Sequence, residues 1–308
     1  MLSLVLALTL GFLAWAAARG GDASDRQPLL RVATWNLQWL VDPATAHEAR
    51  IACREQRAAP LPCDVARTLA RDSADLGRLA ALVRRLDADV IAFQEVQSEA
   101  IAQRVFRGYR ICIATGAGVQ HTGFAVRAGL RARCDAPLAT LATSGRSRAG
   151  QVLTLFPPDG PPIELLSVHL KSGCARDPLH SPTAACRQLA EQAQALGEWI
   201  HLRTEKGSDF IVLGDLNRGG MPDRDDEFWR LLQPAAFTAA ASRLPFRNCV
   251  FGAPYGDFID HILVAQTLLP RLHEEGFRQM RFRPGETTRY LLSDHCPVSV
   301  SLSLNHSL

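Results

Sequence analysis

Residues 209–217, Asp-Phe-Ile-Val-Leu-Gly-Asp-Leu-Asn, decide the fold class of this chain. Residues 210–213 are apolar without interruption and are bounded by Asp209 and Gly214, the pattern of a short strand buried on both faces. Strand residues two apart project to the same side. Asp215 and Asn217 therefore set a carboxylate and a carboxamide together where a buried strand emerges. Taken alone, a strand-end Asp before a turn reads as a capping or Asx-turn residue. The alternative is a metal-dependent phosphate site, and the rest of the chain decides between the two.

Similar runs recur on both sides. Strand-type segments lie at 31–36, 90–95, 109–114, 123–127, 151–156, 163–169, 260–264 and 296–302, several of them continuously apolar. Two longer segments carry a helical stripe. One covers 65–86, with Val65, Leu69, Leu76, Leu79, Leu82, Val83 and Leu86; the other covers 184–202, with Leu189, Ala193, Leu196 and Ile200. Many strands with a few helices able to cover sheet faces indicate an α/β chain. No internal repeat or compositional shift marks a boundary after residue 30, so one domain over 30–304 is expected.

Polar residues end these runs. Asn36 closes VATWN, Glu95 closes VIAFQE, His169 closes ELLSVH, Asp260 opens DHILV, and Asp294-His295 precedes CPVSVSL. Each has a bland reading as a turn former, surface charge or core histidine. Together they place chemistry at strand ends, which can converge on one rim of a rigid scaffold. His261, beside Asp260, belongs to the opposite strand face and is left out of the candidate site.

The 308 residues carry a net charge of +3 and 47% hydrophobic residues, with a pI near 8.5. That balance falls short of the strongly basic footprint of a protein resident on nucleic acid, while leaving room for a transient anionic substrate. Arg127, Arg131, Arg133, Arg146 and Arg148, and Arg278, Arg281, Arg283 and Arg289, read as solvated surface before they read as a phosphate groove. Residues 2–18 are uncharged and end in small residues before Arg19. The expectation is a signal peptide over 1–20, with a retained membrane anchor as the alternative. Either would export the remainder, to a secreted or periplasmic location or to a membrane-anchored one.

Eight cysteines fit an oxidising compartment, and no CxxC pair suggests a zinc site. Cys53 and Cys63 bracket one short Pro-containing segment and Cys174 and Cys186 another, so these pairs are expected to be disulfides. Cys112, Cys134, Cys249 and Cys296, in or beside strand-like runs, read as buried free thiols.

The ordered set TWN at 34–36, FQE at 93–95, SVHLKSG at 167–173, GDLN at 214–217, IDHI at 259–262 and SDH at 293–295 resembles the endonuclease/exonuclease/phosphatase superfamily. These are metal-dependent phosphodiesterases that include pancreatic deoxyribonuclease, apurinic endonucleases and bacterial sphingomyelinases. The resemblance implies a four-layer α/β/β/α sandwich of two packed, antiparallel or mixed sheets flanked by helices, with the site at one rim. It implies Mg²⁺, with Mn²⁺ as the alternative, held by Glu95 and Asp294 with Asn36 adding a neutral oxygen. It further implies catalysis by His169, Asp215, Asn217, Asp260 and His295, with Asp260 orienting His295. Lys171 and Asn217 would contact substrate.

Two departures qualify the resemblance. Apurinic enzymes often carry an acidic residue where this chain has Gln38 and a Tyr where it has His169. Both move the reading towards the deoxyribonuclease- or sphingomyelinase-like branches. The expected substrate is nucleic acid; the alternatives are a phospholipid, or an exported binding module without turnover, with a membrane partner only if the leader is retained. Residues 157–158 and 244–246 do not compose an apolar membrane hairpin, and no obligate protein partner is evident.

Overall fold

The computed structural model describes residues 29–304 apart from 117, 144–147, 223–224, 241–244, 250–255 and 274–275. The expected leader, Arg146 and Leu244 lie outside the described residues. Among those described, no helix is long and apolar enough to cross a membrane.

In chain order the elements begin with strand β1 (Leu29–Leu40), helices α1 (Pro43–Arg54), α2 (Cys63–Thr68) and α3 (Ser73–Leu86), β2 (Val90–Val96) and α4 (Glu99–Val105). Strands β3 (Tyr109–Ile113), β4 (His121–Arg127), β5 (Ala132–Cys134), β6 (Gln151–Leu155) and β7 (Ile163–His169) follow, then α5 (Ala184–Glu205) and β8 (Asp209–Asp215). The chain continues with α6 (Glu227–Leu231), β9 (Phe237–Ala239), β10 (Asp260–Ala265), β11 (Arg278–Gln279), α7 (Glu286–Arg289) and β12 (Val298–Ser303).

The strands form two six-stranded sheets, ordered β11-β12-β1-β2-β4-β3 and β5-β6-β7-β8-β10-β9. Both are mixed, because β1 runs parallel to β2 and β7 parallel to β8 while the other pairs are antiparallel. Alternation along each strand divides the apolar residues into layers. Val32, Val90, Phe124, Leu165, Leu213, Ile262 and Val300 meet between the sheets. Trp35, Ile91 and Phe93 face outward under α3 and α4, while Val168, Phe210 and Val212 face outward under α5 and α6. Each such side chain contributes about 1.5–3 kcal/mol on burial. The result is the four-layer sandwich, with the central strands covered on both faces.

The helical stripe at 65–86 is two helices. Asp72 caps α3 by accepting from the Ala74 and Asp75 N–H groups, and Asp75 returns a bond to the Asp72 N–H. This reciprocal box starts α3, whereas α2 has already ended at Thr68. The buried Arg71 sits in the break. Helix α1 starts at the Asp42 cap with Pro43 at its first position and α4 at the Ser98 cap.

The expected disulfides Cys53–Cys63 and Cys174–Cys186 are present. The free-thiol reading of the other four is overturned, since Cys112 pairs with Cys134 and Cys249 with Cys296. Cys112 lies on β3, at the edge of one sheet, and Cys134 on β5, at the edge of the other, with Cα atoms 5.7 Å apart. That bond staples the two sheets together. Its partners are remote in sequence and meet only once the sheets stack.

Candidate active site

Strand register assembles the site. Asp215, the last residue of β8, pairs with His169 at the end of β7 on one side and with Asp260 at the start of β10 on the other. Three polar side chains thus stand abreast at one rim. The strand reaches this position through Gly214, whose φ is 149° and where an added Cβ would lie 2.0 Å from the Val168 carbonyl oxygen. Only glycine lets β8 approach β7 this closely just before the carboxylate.

The other sheet supplies the facing groups. Between the Asn36–Gln94 and Leu40–Val96 pairings, residues 37–39 of β1 stand opposite the single residue Glu95, a bulge that turns both strands at the rim. Gln38, Trp39 and Glu95 take positive φ values of 46°, 54° and 62°, and Asn217 beyond β8 takes 51°. Backbone of this kind is costly for residues other than glycine and persists where its surroundings enforce it. Here the bulge directs the Trp39 N–H to Glu95 Oε2 at 2.9 Å and the Gln38 N–H to Asn36 Oδ1 at 2.9 Å. Beneath the rim, Gln94 bonds Thr34 and Ser167, locking the two sheets in register.

Asn36 Nδ2 donates to Asp215 Oδ2 at 3.0 Å and to Glu95 Oε1 at 3.3 Å, joining the sheets across the site. Its amide nitrogen faces the carboxylates and its oxygen is engaged by Gln38, which differs from the oxygen donor expected from sequence. His169 Nε2 lies 3.5 Å from Asp215 Oδ2 and 3.7 Å from Glu95 Oε1. His295 Nδ1 is 2.7 Å from Asp260 Oδ2, while its Nε2 lies 3.9 Å from Asp215 Oδ2 and 3.9 Å from Asp294 Oδ1. The His295 backbone is fixed by the Trp35 indole N–H on its carbonyl and by Ser293 Oγ on its N–H. Asn217 donates from its N–H to Asp215 Oδ1 at 2.9 Å and from its amide to the Leu170 carbonyl at 3.0 Å. Lys171 follows β7 at the edge of the cluster, its Nζ on the Ser172 carbonyl.

Burial divides the protonation states. Asp215 is pushed up to about 7 by loss of solvent, with His295 and its hydrogen bonds pulling the other way. Desolvation also opposes charge on His295, but Asp260, with help from Asp215 and Asp294, overcomes it and raises the ring to about 10. His169 is held well below the usual histidine range, first by burial and then by Arg148, His295 and Lys171. The rim therefore holds a charged histidine and a neutral one on either side of the buried Asp215 carboxylate.

The sequence expectations meet here: Asn36, Glu95, His169, Asp215, Asn217, Asp260, Asp294 and His295 share one rim. His261 turns away, its ring against Trp229 in the helical layer and its Nε2 3.0 Å from the Arg218 carbonyl. Most of the arginines take no part. Arg127 pairs with Asp87 and Asp89, Arg133 pairs with Asp135, and Arg131, Arg278, Arg281, Arg283 and Arg289 are exposed. Arg148 is the exception, half-buried and within the electrostatic reach of Glu95 and Asp215.

Arg71 was absent from the sequence reading. Its guanidinium donates to the carbonyls of Leu37, Gln38 and Trp39 on the bulge and of Leu291 and Leu292 before Asp294. Burial lowers its pKa to about 10, against the opposing pull of Asp75, Asp294 and Glu95. The break signalled by Asp72 and Asp75 is the sequence clue that could have exposed it.

The donor set suits a hard divalent cation. It offers carboxylate oxygens from several elements and no thiolate, since all eight cysteines are in disulfides. Asp215, Asp260 and His295 present atoms within 4.8 Å of one another, but the 2.7 Å bond between Asp260 and His295 commits two of them to each other. A second grouping, Cys174, Asp177 and Cys186, offers no thiolate for the same reason. A cavity of about 1000 Å³ lies at the opposite end of the sandwich beside Glu164 and Asp209, where β7 and β8 begin.

The model of the Endonuclease/Exonuclease/phosphatase family matches residues 33–295. No curated protein matches in sequence. Among solved structures, truncated Caenorhabditis elegans TDP2 is similar with a TM-score of 0.58 at 17% identity, over 89% of this chain and 98% of that one. The catalytic domain of Xenopus laevis APE2 gives 0.55 at 15% identity, over 89% and 92%. D. rerio TDP2 complexed with single strand DNA product gives 0.52 at 17% identity, over 89% and 98%. At these identities the likeness concerns the fold.

Proposed function

This chain belongs to the endonuclease/exonuclease/phosphatase family, and from that premise we propose that it is an exported, divalent-metal-dependent phosphodiesterase that hydrolyses nucleic acid. The observation that carries the reading is the convergence of Glu95, His169, Asp215 and the Asp260–His295 pair at one rim. A structural role would not require so many titratable groups to be buried together. Zebrafish TDP2, which shares the fold, is complexed with a single strand DNA product, and this favours nucleic acid over lipid. Four disulfides favour an oxidising compartment.

Glu95 and Asp294 are the proposed holders of Mg²⁺ or Mn²⁺, with Asn36 positioning the Glu95 and Asp215 carboxylates. When bound, the ion supplies Lewis-acid neutralisation of the nonbridging phosphate oxygens. The residues of the chain do the rest. Asp215, buried and with its pKa raised to about 7, orients the attacking water or receives its proton. Asp260 holds the His295 ring through Nδ1 so that Nε2 faces the cluster. His169, kept neutral by burial, donates a hydrogen bond to the phosphate or the leaving oxygen. Asn217 and Lys171 line the approach as substrate contacts.

The test is to supply the purified, oxidised protein with Mg²⁺ or Mn²⁺ and present plasmid DNA, RNA, sphingomyelin and a simple phosphodiester in parallel. Nicking of plasmid that EDTA abolishes is the expected result. Turnover confined to sphingomyelin would overturn the substrate, and binding without turnover would overturn the chemistry.

A further inference from the structure

Beside the rim lies a cavity of about 510 Å³ whose walls come from four places in the chain. Trp39 of the β1 bulge lines it, as does the loop carrying Pro60, Leu61 and Pro62, which the Cys53–Cys63 disulfide closes. The turn at 118–120 and Arg148 complete the lining. Trp39 joins the cavity to the proposed metal ligand, since its N–H is held by Glu95 Oε2 at 2.9 Å. Its half-buried indole rests on the small cluster of Val41, Ala46, Ala49, Leu61 and Ala66 under α1 and α2.

The polar character of the lining is one-sided. Arg148 bonds the Gln120 amide oxygen, yet its buried Nε has no partner among the described residues. Arg57 stands at the mouth, exposed and paired outward with Glu55 at 2.7 Å. No carboxylate contributes to the described lining. Arg148 makes no ion pair among the described residues and is reached by Glu95 and Asp215 only at a distance, so an anion in the cavity would further relieve the cost of its burial. A flat aromatic wall beside it is suited to a planar group.

We propose that this cavity is the subsite for one unpaired nucleotide of the substrate, with Arg148 on a phosphate oxygen and the base against Trp39. The assignment rests on the phosphodiesterase reading above and names the substrate class that site takes. The volume falls in the range of small-ligand pockets and gives room for one nucleotide. A paired base would have to leave its stack to enter, so single strands and frayed ends are preferred over intact duplex. The lining also disfavours choline, because a quaternary ammonium would meet guanidinium groups and no carboxylate.

Isothermal titration of the full oxidised chain in Mg²⁺ with thymidine 5′-monophosphate, inorganic phosphate and phosphocholine tests the assignment. The nucleotide should bind at least about tenfold more tightly than phosphate, the contribution expected of base stacking on an aromatic side chain. Phosphocholine should bind no more tightly than phosphate. Trp39→Leu should bring the nucleotide to within about twofold of phosphate, and Ala59→Phe, which adds bulk to the cavity lining, should do the same if the first variant folds poorly. Equal affinity for nucleotide and phosphate in the parent protein, or a preference that survives both variants, would overturn the subsite, as would tighter binding of phosphocholine. The outcome is separable from the catalytic reading, because nucleotide binding with no metal-dependent hydrolysis would leave the subsite standing and remove the enzyme.

Discussion

Replacing Arg71 with Met should loosen the rim from below. The guanidinium supplies hydrogen bonds to five backbone carbonyls in two segments that meet only in the folded state. At the low end of about 1.5 kcal/mol for a bond from a charged donor, the set contributes about 7 kcal/mol gross. Burial opposes this by lowering the pKa of Arg71 from 12.5 to about 10, a penalty on the charged form of about 3 kcal/mol. The difference, about 4 kcal/mol, is the expected loss. For a domain of this size it should lower the thermal midpoint by about 8–16 °C. Arg71→Lys keeps the charge with a single donor centre and should fall between the two. Thermal unfolding followed by circular dichroism measures the effect. A midpoint within about 3 °C of the parent in Arg71→Met would refute the clamp, because the five carbonyls would then be satisfied without it.

Gly214→Ala should be destabilised by several kcal/mol, read as a lower denaturation midpoint, since the new methyl meets the Val168 carbonyl at 2.0 Å and φ is 149°; a midpoint unchanged from the parent would show that β8 can move away. Cys112→Ser with Cys134→Ser removes the bond between the sheet edges and should cost about 3 kcal/mol, measured by urea unfolding. Asp260→Asn leaves the shape of the site but removes the charge that holds His295 up, so its pKa should fall, as followed by NMR titration of the ring. Turnover should drop about a hundredfold or more in the same variant.

The two sheets were legible in the sequence because their central strands are covered on both faces and read as continuous apolar runs, as at 90–93 and 210–213. The short edge strands β5, β9 and β11 bury too few residues to leave such a pattern. Helices α2 and α3 read as one because their apolar residues share a stripe across the break, and only the Asp72 cap distinguishes them. Site residues at strand ends were legible by position, since a strand end fixes which rim a side chain occupies. Their partners were not. The Asp215–His169 and Asp215–Asp260 registers are set by pairings between strands far apart in sequence. Arg71 contributes through backbone carbonyls, which have no residue signature, and Cys112–Cys134 depends on how the sheets stack.

The central claim is that the strand-end cluster is catalytic, and the initial rate of phosphodiester hydrolysis by Asp215→Asn in saturating Mg²⁺, set beside its melting midpoint, tests it most directly. The side chain keeps its size and its contact with the Asn217 N–H, so the fold should be retained. A loss of about a thousandfold in rate at an unchanged midpoint is the predicted result. A rate within tenfold of the parent, in protein that melts normally, would contradict the account.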